Sequence, residues 1–167
     1  MAEEAVTTLH AELARFGRAE EAFALLEVFL QVAGERLGVV ELDPVGLRLP
    51  EEMTDDRGVV LGLIEEIERE PLGNERVAKR GFDMADEQAR WDYVRLAYCS
   101  AQATVWSRRQ RTTYFEAVAP HKATYWLPDS LKAEYFAALT ARDWTIPADW
   151  LTAIPKRPKP WWKRGGS

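Results

Sequence analysis

Apolar residues along the first third of the chain recur at helical spacing. Val6, Leu9, Leu13 and Phe16 predict an amphipathic helix over 3–16, ended by Gly17. Phe23, Leu26, Leu30, Ala33 and Leu37 form a second stripe over 19–37, widened by Leu25, Phe29 and Val32. So broad an apolar face predicts a helix central in the core, stopped by Gly38. The pattern then changes. Val39, Val40 and Leu42, followed by Leu47 and Leu49, flank Asp43-Pro44-Val45-Gly46, where proline and glycine suit a type I turn. This reads as a short β-hairpin or an irregular loop.

Helical spacing returns after Thr54, Asp55 and Asp56, which offer caps for a helix over 56–70. Val60, Leu63, Ile64 and Ile67 make its inner face, and Glu65, Glu66, Glu68 and Glu70 its outer one. Residues 71–82 read as a linker. Asp83 with Asp86 or Glu87 resembles a capping arrangement, and Trp91, Val94, Tyr98, Ala101 and Val105 extend a stripe that predicts one long helix over 84–110. A parallel line runs through Arg95, Cys99, Gln102, Trp106 and Arg109. "KATYW" reads as a short extended piece. Asp129 or Ser130 starts a helix to Ala141, with Leu131, Tyr135, Ala138 and Leu139 inward. Pro147 suits the first turn of a short helix over 147–154, and Pro155, Pro158 and Pro160 forbid its continuation.

Together these elements predict a mainly α protein: a compact bundle of about five to six helices, a short hairpin near 39–49 and an extended C-terminal tail. Residues 1–154 read as a single helical domain and 155–167 as a tail. The closing Gly165-Gly166-Ser167 has the look of a fusion scar.

Composition supports a packed core, with 47% apolar and 29% charged residues. The acidic start Met1-Ala2-Glu3-Glu4 lacks the features of a secretory leader, and no apolar run is long enough for a bilayer. The expected compartment is the cytoplasm, with no membrane partner. A lone cysteine, Cys99, rules out an internal disulfide and any cysteine-rich metal site, and it reads as a small core residue. Abundant arginine and alanine fit a GC-rich bacterial or phage genome.

Charge is unevenly spread. Residues 1–75 carry a net −12 and residues 76–167 a net +7, and all seven tryptophans fall in the second part. Such asymmetry points to a binding surface, or to two halves that face each other.

Catalytic motifs are missing: no glycine-rich phosphate loop, no dinucleotide fingerprint and no nucleophile elbow. None of the six lysines has an acid two residues before it, as a common metal-dependent nuclease requires. His10-Ala11-Glu12 lacks the cysteine pair that a zinc deaminase needs. His10 therefore reads as a partly buried structural residue. His121 is the one candidate general base, in a loop beside Lys122. No cofactor or metal site is predicted.

The clearest binding signal is arginine interleaved with aromatics: Arg90, Arg95, Trp106, Arg108, Arg109 and Arg111. Guanidinium forks pair with anions, and exposed rings stack on partners. The tail adds Lys156, Arg157, Lys159, Trp161, Trp162, Lys163 and Arg164. Its P-x-x-P favours an extended conformation, and its tryptophan pair suggests a strap anchored on the core.

The leading functional expectation is a non-enzymatic interaction protein: a small helical subunit, adaptor or inhibitor whose partner is another protein. The alternative is nucleic-acid association through 90–111 and the tail. An enzyme centred on His121 is the third reading. The sequence sets no oligomeric state.

Overall fold

The computed structural model describes residues 4–53, 55–69, 79–109, 112–119 and 122–157. Among these, six strands form one antiparallel sheet: β1 (Val6–His10), β2 (Leu37–Leu42), β3 (Arg80–Gly81), β4 (Gln102–Ser107), β5 (Thr113–Val118) and β6 (Lys122–Pro128). Their order across the sheet is β1-β6-β5-β4-β2-β3. The helices are α1 (Ala19–Ala33), α2 (Arg57–Arg69), α3 (Glu87–Ala97), α4 (Asp129–Ala141) and α5 (Ala148–Thr152). The expected helical bundle is thus overturned: this is an α/β fold with a large antiparallel sheet.

The sheet was hidden by a coincidence of periods. Residues four apart lie near one another on a helix and also on one face of a strand. Val105, read as the last inward residue of a long helix, faces inward from β4 beside buried Ala103. The helix starts as its caps foretell, with the Asp86 carboxylate accepting from the Gln88 N–H at 2.9 Å, but it ends at Ala97. Past Ser100 the run Thr104-Val105-Trp106 is β-branched and aromatic, which favours extended backbone. The first segment errs too, because Val6 and Leu9, three apart, suit a helix face and fall on opposite faces of a strand. Val6, Thr7 and Thr8 lie in β1, where Thr7 and Leu9 point into the core. His10, expected to be partly buried on a helix, is instead exposed at the end of β1, 4.0 Å from Glu12. The predicted hairpin does not form. The chain bends at 45–46, where Asp43 Oδ1 accepts from the Val45 N–H and Gly46 sits at φ +67°, and 47–49 is not a strand. The strand before the bend pairs with β4 and β3 instead.

α1 is the central helix, as expected, buried along most of its length and touching both α4 and α3. Phe29 meets Tyr125, Tyr135 and Tyr114 edge-on, with centroids 5.3, 5.6 and 6.2 Å apart. A ring buried this fully contributes on the order of 1.5–3 kcal/mol. Tyr114 reaches the helix side only because the β4–β5 register shifts between Val105 and Trp106. Two of the buried tyrosine hydroxyls have partners: Tyr135 donates to Leu25 O at 2.7 Å and Tyr98 to Ala11 O at 3.2 Å.

The outer edge of β1 is closed at both ends. Val6 and Lys156 exchange backbone hydrogen bonds of 2.9 and 2.8 Å. At the other end Trp150 Nε1 donates to His10 O at 2.8 Å, and the Arg15 guanidinium donates to the same carbonyl. Closing an edge this way blocks strand addition by other chains. Residues from both charge halves interleave in this sheet, with β1 and β2 separated by β4, β5 and β6. The halves are not two separate lobes. Among the described residues no helix is long and apolar enough to cross a membrane.

Candidate functional site

The root of the β4–β5 hairpin is held by a dense set of bonds. Ser107 N–H donates to Thr112 O at 2.7 Å, the Thr112 N–H donates to Ser107 Oγ at 3.0 Å, and Arg108 N–H donates to Arg36 O at 2.8 Å. β2 presses against it: a Cβ on Gly38 would lie 2.8 Å from Ser107 O and 3.1 Å from Arg108 Cα. Only glycine permits this approach without a shift of backbone. From this fixed root Arg108 and Arg109 project into solvent as exposed residues.

Three concavities converge here, and Arg108 lines all of them. The first, of about 610 Å³, lies at the end of the sheet and is lined by Arg36, Arg109, Tyr114, Glu4 and Glu35. The second, also about 610 Å³, lies between the end of α1 and the segment entering α3; Leu37, Phe82, Met84, Asp83 and Arg90 line it. The third, about 470 Å³, is shallower and is formed by Val39, Glu41 and Trp106. Glu35 is shared by the first two.

The electrostatics differ from residue to residue. Arg36 forms a two-pronged pair with Glu134 at 3.0 and 2.8 Å, and that bond raises its pKa. Burial raises the Tyr114 phenol, against the lowering effect of nearby Arg36, so the hydroxyl stays a neutral donor near pH 7. Glu4 accepts from the Ser130 hydroxyl at 3.0 Å. Arg90 donates to Met84 O at 2.8 Å, while its Nε is buried without a hydrogen-bond partner.

The arginines singled out from sequence therefore separate into two groups. Arg109, Arg90 and Trp106 each share a concavity with Arg108: Arg109 the first, Arg90 the second and Trp106 the third. Arg95 does not join them. It lies 5.5 Å over the Trp91 ring and 3.6 Å from Asp56, a structural contact between α3 and the start of α2. Lys156 and Arg157 lie at the same end of the sheet as the hairpin root. Lys156 pairs with Val6, the first residue of β1, and antiparallel register aligns that end with Pro128, Thr113 and Ser107. Arg111, Lys159, Trp161, Trp162, Lys163 and Arg164 lie outside the described residues, as does His121. Sequence reasoning missed Arg36, Glu35 and the Phe82–Met84 segment, while Tyr114 is one of the aromatics interleaved with the arginines. Gly38 was the one available signal, and it was read as a helix stop.

Cys99 is buried, and burial pushes its thiol up to about 12, which suits a packing residue rather than a nucleophile. Among the described residues no three His, Cys, Asp or Glu side chains converge as a metal-ligand set. The chain matches no known family, no curated protein sequence and no solved structure.

Proposed function

We propose that this chain is a non-enzymatic protein-interaction module, a small subunit, adaptor or inhibitor of a larger assembly, with its contact surface centred on Arg108. The observation that carries this reading is the convergence of three concavities on one exposed arginine whose backbone is fixed on both sides. A rigid root keeps the ordering cost on binding low, and arginine is among the residues that most often dominate interface energetics. Affinity purification from the native host, with and without nuclease, tests it. A nuclease-resistant partner captured in stoichiometric amount supports the module. Recovery of the chain alone, as a monodisperse monomer, refutes it.

A second reading, nucleic-acid association, draws on the gathering of Arg108, Arg109, Lys156 and Arg157 at one end of the sheet. In that case capture is lost on nuclease treatment, and binding falls steeply with salt.

A further inference from the structure

The two larger concavities meet at Glu35 and Arg108 and together form a curved groove around the single 3-10 turn Gly34–Arg36. Part of its wall is an unused length of strand. β3 pairs only with Glu41 and Leu42, and the Phe82 N–H then donates to Val40 O at 2.9 Å. The chain turns away at Asp83, where the side chain accepts from the Ala85 N–H, and enters α3. Among the described residues no strand lies beside the first half of β2 on that side, and Leu37 and Gly38 face the second concavity there.

The groove's chemistry is graded. Its β2 arm is apolar at Leu37, Phe82 and Met84, with Arg90 at one side. Its other arm carries Arg108 and Arg109, neither of which has an acidic partner among the described residues, beside the neutral phenol of Tyr114. Acids are present too: Glu35 between the arms, Asp83 in one and Glu4 in the other. Arg36 is held by Glu134, so three other arginines face three carboxylates and the groove has no large excess of positive charge. A nucleic-acid backbone presents one charge per roughly 1.7 Å of duplex and needs many uncompensated cations. A peptide can set a single carboxylate against the free arginines and place apolar side chains elsewhere.

We propose that this groove binds an extended acidic segment of a partner protein, added along the first half of β2. Its apolar side chains enter the Leu37–Phe82–Met84 arm, and its carboxylates meet Arg108 and Arg109. The proposal rests on the interaction-module reading and specifies its partner. Strand addition supplies main-chain hydrogen bonds, and the pockets for alternate side chains supply specificity.

The test is selection of a random-peptide display library on the full chain, followed by NMR mapping of the enriched peptides. The expected winners alternate acidic and apolar residues and shift the amides of Gly34, Gly38, Phe82 and Arg108. Their affinity for R108Q/R109Q falls at least about tenfold and returns in part with R108K/R109K. Both arginines are exposed, and far-UV circular dichroism verifies the fold of each variant. Winners without acidic residues, shifts elsewhere on the molecule, or affinity unchanged in R108Q/R109Q each overturn the proposal, as does an oligonucleotide that moves these amides when no peptide does. A host partner that R108Q/R109Q still captures removes the groove and leaves the module reading intact. Failure to capture any partner removes the module itself.

Discussion

Replacing Trp150 by alanine removes the largest fully buried side chain among the described residues. The indole meets Tyr125 at 5.5 Å and Tyr135 at 6.2 Å, and it stacks on Phe136 at 6.4 Å with an interplanar angle of 12°. It also joins α5 to the edge of the sheet through the bond to His10 O. Burial and cavity effects for a large aromatic truncated to alanine amount to about 3–5 kcal/mol. The lost hydrogen bond adds about 1 kcal/mol at most, because His10 O keeps its bond from Arg15. A total of about 3–6 kcal/mol is a large share of an ordinary domain's stability. With a urea slope of about 2 kcal/mol/M, the unfolding midpoint falls by roughly 2 M. The assay is urea unfolding followed by far-UV circular dichroism, with Trp144→Ala as the control. Trp144 is 40% exposed, and its loss costs under about 1 kcal/mol. Trp150→Phe keeps a ring and falls between the two. Equal midpoints for Trp150→Ala and Trp144→Ala would falsify the packing described for α5.

Gly38→Ala forces a Cβ against the backbone of Ser107 and Arg108, so stability falls by about 1–3 kcal/mol and the Ser107 and Arg108 amide shifts move. Gly62→Ala, in the interior of α2 with open space around the new Cβ, raises the midpoint by the equivalent of about 0.5–1 kcal/mol; equal effects for the two glycines contradict the close approach of β2 to the hairpin root. Cys99 keeps its proton in the folded state up to about pH 12, while the unfolded thiol releases its proton near its ordinary value of 9.0. The unfolded state therefore binds fewer protons above pH 9, and stability falls as pH rises through that range. At pH 8 native Cys99 reacts with a thiol reagent only as fast as the chain opens, and labelling at the rate of a free thiol contradicts its burial. Burial raises Tyr93, Tyr98, Tyr125 and Tyr135 as well, so most of the tyrosine absorbance change at alkaline pH coincides with unfolding.

What the sequence discloses depends on the length of each element. α1, α2 and α4 run thirteen residues or more, long enough for 3.6-residue periodicity to exclude a strand, and all three were legible. β1, β4 and β5 run five or six residues, with too few apolar positions to tell one period from the other. Local chemistry held the missing information: paired threonines at 7–8, and β-branched and aromatic residues at 104–106 and 112–115. The candidate site was legible as residues but not as a place. Arg90, Trp106, Arg108 and Arg109 stand out in the sequence only as arginines interleaved with aromatics; the fold places Arg90, Trp106 and Arg109 each in a concavity that Arg108 also lines. Arg36 comes from 72 positions before Arg108, joined to it by a backbone bond that no local pattern announces.

The position of β1 also governs when the fold can close. Its strand partner is β6, more than a hundred residues later, and its outer edge is completed by Lys156. A chain leaving the ribosome therefore carries this strand unpaired until more than a hundred further residues have been made. Helix α1 and the β4–β5 hairpin can form from nearby residues, whereas β1 must wait for β6. Pairing across so great a sequence distance slows folding and lengthens the exposure of sticky intermediates. Synthesis that stalls anywhere before β6 leaves a strand with nowhere to go, and such fragments are the form in which this protein is most prone to aggregate.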